Sequence, residues 1–106
     1  MATATDIKAI AESFINELKK QQIRVLKAYM YGSYARGNAR SDSDIDLAII
    51  SPDFSGNRYL DSMKIIKFRR TIDNRIEPVP YKQEDFDESD PLVAEIKQNG
   101  IKIKSE

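Results

Sequence analysis

The chain has no cysteine and no histidine among its 106 residues. Without thiols there is no disulfide framework and no thiolate metal site. Without imidazole, a common metal ligand and the commonest general base are both missing. An excess of one charge is also lacking: 17 Lys plus Arg balance 17 Asp plus Glu. Dedicated nucleic-acid binders usually carry a clear basic excess, so nucleic acid is not an expected partner. No aliphatic run approaches the roughly 20 residues that span a bilayer. Met1-Ala2-Thr3-Ala4 lacks the charged and then apolar pattern of a secretory signal, so the expected location is cytoplasmic. Internal repeats and low-complexity tracts are absent as well. Chemistry in this chain must rest on carboxylates, hydroxyls and cations.

What remains is an ordinary globular composition, 41% apolar and 32% charged. That suits one soluble domain over residues 1–106 with a modest core. The chain is organised around Gly32-Ser33-Tyr34-Ala35-Arg36-Gly37 and, after six intervening residues, Asp44-Ile45-Asp46. An apolar run, residues 23–31, reads as a strand leading into Gly32; Tyr29 and Tyr31 share one of its faces. Ile45 to Ile50 reads as a second strand. Residues two apart on a strand point the same way, so Asp44 and Asp46 should project together, about 7 Å apart along the chain. Like charges so placed cost free energy unless a cation lies between them. Such a pair suits Mg²⁺, which completes its octahedron with water and substrate phosphate. The Gly32-Ser33 turn offers backbone amides and a hydroxyl to the phosphates.

Two other motifs fail. A P-loop would continue from Gly37 with Lys and then Ser or Thr, where this chain has Asn38 and Ala39. Asp42, Asp44 and Asp46 mimic the start of an EF-hand, but Leu47 stands where the loop needs glycine and Asp53 where it needs glutamate.

Gly-Ser-x-Ala-Arg-Gly followed by Asp-Ile-Asp resembles the signature of the polymerase-beta-like nucleotidyltransferase superfamily. More narrowly it resembles the small stand-alone group called minimal nucleotidyltransferases. The resemblance implies an α/β fold: a mixed sheet of three or four strands with helices packed on it. It implies Mg²⁺-dependent transfer of a nucleotide, with AMP from ATP as the expected case. Gly32 and Ser33 would hold the triphosphate, and Arg36, with Arg40 beside it, would offset phosphate charge. Asp44 and Asp46 would bind two Mg²⁺ ions. Glu77 would be the third carboxylate and metal ligand, where the family more often has aspartate. The resemblance also implies a separate helical partner of the HEPN type, in a toxin–antitoxin pair; a homo-oligomer is the other expected assembly. A reading from another class stays open: a nucleotidyltransferase-shaped binding subunit with little or no turnover that neutralises or completes a partner.

The rest of the chain reads as follows. Ile7, Ile10, Ala11, Phe14 and Leu18 give one apolar helical stripe over residues 4–20, with Thr5 or Asp6 as cap. A second helix is expected over 57–73, or one that breaks or bends near Ile66. Its apolar residues fall on two sides, Tyr59-Met63-Ile66 and Ile65-Phe68-Ile72. One must face the sheet; the second set, flanked by Lys64, Lys67 and Arg69, is the expected outward face, meeting a second protein chain. Residues 75–82 read as an edge strand, because Pro78 and Pro80 remove two donors from one side. Residues 83–90 read as an acidic solvated linker. Asp90 and Pro91 open a last helix, which Gly100 is expected to close in a left-handed conformation. Ile101 and Ile103 suggest a short final strand.

Overall fold

The computed structural model describes residues 4–105 apart from Ser41, and the side chains of residues 6–103 with the same exception. Helix α1 covers Ala4–Lys20 and strand β1 covers Lys27–Tyr31. A single helical turn, α2 (Ser33–Arg36), and strand β2 (Ile45–Ser51) follow. Helix α3 (Arg58–Ile66) runs on into a 3₁₀ segment over Lys67–Thr71, then strand β3 (Ile76–Lys82). A 3₁₀ turn at Gln83–Asp85, helix α4 (Pro91–Asn99) and strand β4 (Ile101–Ser105) complete the order. The four strands form one mixed sheet in the order β3-β2-β1-β4. β1 is antiparallel to both β2 and β4, whereas β2 and β3 are parallel. The α/β architecture is the expected one, and β3 lies at an edge as Pro78 and Pro80 require.

Alternation along the strands sends two sets of side chains to opposite faces. Ala28, Met30, Ile45, Leu47, Ile49 and Ile76 enter one buried cluster with Ile7, Ala11, Phe14 and Leu18 of α1. Tyr29, Ala48, Ile50 and Tyr81 enter a second with Phe86 and with Val93 and Ile96 of α4. Asp46 and Glu77 belong by parity to this second face.

Several expectations need correction. Regular strand pairing begins at Lys27, not at residue 23; Ile23 and Val25 are buried ahead of it. The helix expected over 57–73 changes to 3₁₀ geometry after Ile66, the break that its two-sided pattern allowed. Its expected outward stripe faces in: Ile65 is fully buried, and Phe68 and Ile72 pack against the first cluster. Tyr59 and Met63 face out instead, with 71% and 57% of their surfaces exposed. The change of helical pitch lets Phe68 and Ile72 continue the buried side that Ile65 begins.

Gly100 is extended, at φ −73° and ψ 159°, because β4 begins at the next residue. Its glycine is needed for space: a Cβ would lie 2.5 Å from the Ile96 carbonyl oxygen. The acidic linker is anchored by Phe86, which stacks on Tyr29 at 5.5 Å and meets Tyr81 edge-on at 5.1 Å. Asp90 caps α4 as expected, accepting from the Leu92 amide at 2.9 Å. Thr5 and Asp6 fall inside the first turn of α1, not before it; the side chain of Thr5 lies outside the described residues, as do Met1–Thr3.

Candidate active site

β1 ends at Tyr31 and the chain turns sharply at Gly32, whose φ is 77° and ψ −150°. Few side-chain-bearing residues tolerate that conformation. Space forbids one as well, since a Cβ on Gly32 would collide with Oδ2 of Asp46. Glycine thus lets the turn press directly against the Asp46 carboxylate. In α2, the Arg36 amide donates to the Gly32 carbonyl at 3.0 Å. The amides of Ser33, Tyr34 and Ala35, ahead of it, have no partner within the turn. Gly37, at φ 79° and ψ 15°, closes α2 in the left-handed region.

The antiparallel register sets Tyr31 opposite Asp46, and the parallel register sets Glu77 beside it. Asp44 is exposed just ahead of β2, while Asp46 is half-buried. Burial raises the Asp46 pKa above 3.8, the Asp44 and Glu77 carboxylates raise it further, and Arg36 opposes them. The Tyr31 phenol is pushed up to about 12, first by burial and then by Asp46. It therefore remains a proton donor at neutral pH. These groups share a cleft of about 450 Å³ with Ser33, Arg36 and, across from them, Leu92, Glu95 and Asn99 of α4.

Glu77 stands apart from the cleft lining. Its carboxylate pairs with Arg69 at 3.3 Å, and the same guanidinium donates to the Ile76 carbonyl at 2.9 Å. Among the described residues no group of three or more carboxylates is poised to hold one metal ion. The Asp44–Asp46 pair does fit a hard cation. Among the described residues no side chain forms an ion pair with either carboxylate, and the like charge of Asp44 and Glu77 at Asp46 is only partly offset by Arg36. Mg²⁺ commonly uses only one or two protein carboxylates, the remainder being water and phosphate oxygens.

Arg40 is exposed and outside the cleft lining. Its backbone matters instead: the Tyr34 hydroxyl donates to the Arg40 carbonyl at 2.9 Å. Arg75 Nη1 donates to that hydroxyl at 3.0 Å and its guanidinium clasps Asp73 with a shortest contact of 2.7 Å. The Arg75 carbonyl in turn accepts from the Ile45 amide at 2.8 Å. A strut therefore runs from the start of β3 to the Gly32–Gly37 turn and to the head of β2. Sequence reasoning missed it, because nothing local pairs Tyr34 with a residue 41 positions away. It also missed the α4 wall; the polar spacing of Glu95 and Asn99, one helical turn apart, was the available signal.

Residues 11–103 match the family model described as a nucleotidyltransferase domain. Over 44 residues the chain is 50% identical to a Methanocaldococcus jannaschii protein named a "putative protein adenylyltransferase". That match spans 41% of this chain and 43% of the relative, well under half of its length. A Sulfolobus solfataricus crystal structure, described as a "putative nucleotidyltransferase", superposes with a TM-score of 0.66 at 18% identity. That likeness covers 93% of this chain and 80% of the other. A toxin–antitoxin structure with AMP-PNP gives 0.63 at 20% identity, over 90% of this chain and 73% of that one. A mutant of the toxin–antitoxin pair MntA–HpeT gives 0.64 at 18% identity, over 89% and 72%. At these identities the structures establish a shared fold. The family match, spanning nearly the whole chain and the Gly32–Asp46 motif within it, establishes the lineage: this chain belongs to the nucleotidyltransferase domain family.

Proposed function

We propose that the chain is a Mg²⁺-dependent nucleotidyltransferase that transfers AMP from ATP to an acceptor hydroxyl, the acceptor being carried by a partner protein. One observation carries the reading: the half-buried Asp46 carboxylate, beside Asp44, pressed against the Gly32-Ser33 turn in an open cleft. Asp44 and Asp46 would hold the cations. Metal ions held there would supply positive charge for the attacking and leaving oxygens of an in-line displacement. Ser33 and the unpaired amides of α2 receive phosphate oxygens, and Arg36 offsets their charge. The acceptor oxygen bonds to the α-phosphorus as the bond to pyrophosphate breaks. Glu77, once released by Arg69, would serve as the third ligand, or would take the acceptor proton. That release is inexpensive, because both side chains of the pair are partly solvated.

ATP is favoured by the adenylyltransferase name of the Methanocaldococcus jannaschii relative and by the AMP-PNP in the similar toxin–antitoxin structure. The toxin–antitoxin neighbours favour a protein partner, and the family resemblance favours a helical one of the HEPN type over a homo-oligomer. A cytoplasmic setting accords with the lack, among the described residues, of any helix long and apolar enough to cross a membrane.

One feature favours the second reading, a binding subunit with weak turnover. Glu77 is engaged by Arg69, and only two carboxylates stand ready for metal. Incubating the chain and its genomic neighbour's product with α-labelled ATP and Mg²⁺ distinguishes the two. Covalent label on the product, absent with Asp46→Asn, is expected; tight partner binding without label would select the second reading.

A further inference from the structure

The two walls of the cleft differ in chemistry. One wall carries everything suited to phosphate: the Gly32 turn, Ser33, Arg36 and the metal-seating carboxylates. The other is the exposed side of α4, where Leu92, Glu95 and Asn99 line the same space. No cation from α4 enters that lining, and Lys97 lies over the Phe86 ring at 5.3 Å. Glu95 would repel a triphosphate, so the uncharged part of a nucleotide belongs on this wall. Resting on the phosphate-end reading above, we propose that Leu92, Glu95 and Asn99 form the nucleoside subsite and that Asn99 selects adenine over guanine.

The selection follows from one hydrogen bond. Asn99 Nδ2 donates to Glu95 Oε2 at 3.0 Å. An ionised carboxylate only accepts, so the amide nitrogen must be the atom facing it. The amide nitrogen is thereby turned toward Glu95, which leaves Oδ1 as an acceptor and a second N–H as a donor. Adenine presents an amino donor next to a ring-nitrogen acceptor, which is the complement of this pair. Guanine presents a carbonyl oxygen where adenine has its amino group, and would set it against Oδ1 or the Glu95 carboxylate. Leu92, 41% exposed, supplies apolar surface for the base. The Tyr31 hydroxyl, in the lining of the same cleft, adds a further donor.

The test is a set of titrations of the whole chain with Mg²⁺ and tripolyphosphate, ATP or GTP, on wild type and Asn99→Ala. These residues are exposed, so the substitution should not unfold the protein. Wild type should bind ATP more tightly than GTP. Asn99→Ala should weaken ATP by about tenfold, erase the preference and leave tripolyphosphate unchanged. Glu95→Gln, which frees the amide to turn, should also reduce the preference without touching tripolyphosphate. Equal ATP and GTP affinities in wild type, or an unchanged ATP affinity in Asn99→Ala, would overturn the assignment. Failure of tripolyphosphate to bind wild type would strike the phosphate-end reading instead; the ATP–GTP difference would still decide the α4 wall.

Discussion

The two faces of this sheet use the same alternation for opposite ends. On one face α1 and the 3₁₀ segment after α3 cover most of the sheet, and Phe14, Leu18, Met30 and Leu47 are fully buried. On the other face the cover stops halfway. Tyr29, Tyr81 and Phe86 pack with α4 at one end, and Tyr31 and Asp46 open into the cleft at the other. Apolar burial supplies about 25 cal/mol per Å² wherever it occurs, so the first face carries the stability. The second face spends some of it on Asp46, a carboxylate held above its ordinary pKa by burial and like charge. Stability and function are thus separated by strand parity.

Substitutions can break that separation, and the largest effect is expected on the covered face. Phe14→Ala should cost about 3–5 kcal/mol of unfolding free energy. Chemical denaturation would measure it, while the fraction still folded should bind Mg²⁺-ATP unchanged. Asp46→Asn should do the reverse. Its melting temperature should hold or rise, and the stabilisation by saturating Mg²⁺-ATP, about 2.7 kcal/mol at 100 times Kd, should vanish.

The pH dependence has a definite sign. A carboxyl whose pKa is raised on folding costs nothing when protonated and destabilises as pH climbs from its ordinary value of 3.8 through the raised one. The metal-free advantage of Asp46→Asn over wild type should therefore be full at neutral pH and fade as pH falls toward 3.8. Asp53 and Asp73, lowered by Arg24 and Arg75, lose stability over the acid range in both proteins, so their contribution cancels in the difference.

A smaller effect is expected from the strut. Tyr34→Phe removes the bond to the Arg40 carbonyl and the one from Arg75, at about 0.5–1.5 kcal/mol each. Weaker Mg²⁺-ATP binding should accompany it, because the strut positions α2 against β2. The smallest effect is expected on α3, where Tyr59→Ser should leave stability within about 0.5 kcal/mol. Phe68→Ala, in the 3₁₀ segment that follows, should cost several times more.

Much of this was legible in the sequence. The Gly32 turn, the edge position of β3 and the Asp90 cap follow from local rules, since each needs only neighbours in the chain. What escaped depends on contacts across the chain. Phe86 looked like part of an acidic linker until Tyr29 and Tyr81 closed on it. The stripe of Ile65, Phe68 and Ile72 was assigned outward because its flanking lysines suggested a rim. Long lysine and arginine stems can border a buried stripe as readily as an exposed one. Gly100 read as a helix cap because glycine often is one; here it makes room for the Ile96 carbonyl. Glu77 was legible as a carboxylate on the right strand face, but its pairing with Arg69 joins two elements and has no sequence signature.

The most direct test of the divided sheet is calorimetric titration of Mg²⁺ with a non-hydrolysable ATP analogue into wild type and Asp46→Asn at neutral pH, alongside their metal-free melting temperatures. The account predicts measurable binding to wild type, none to the variant, and a variant that melts no lower. Equal binding by both proteins, or a variant that binds nothing because it has unfolded, would contradict it.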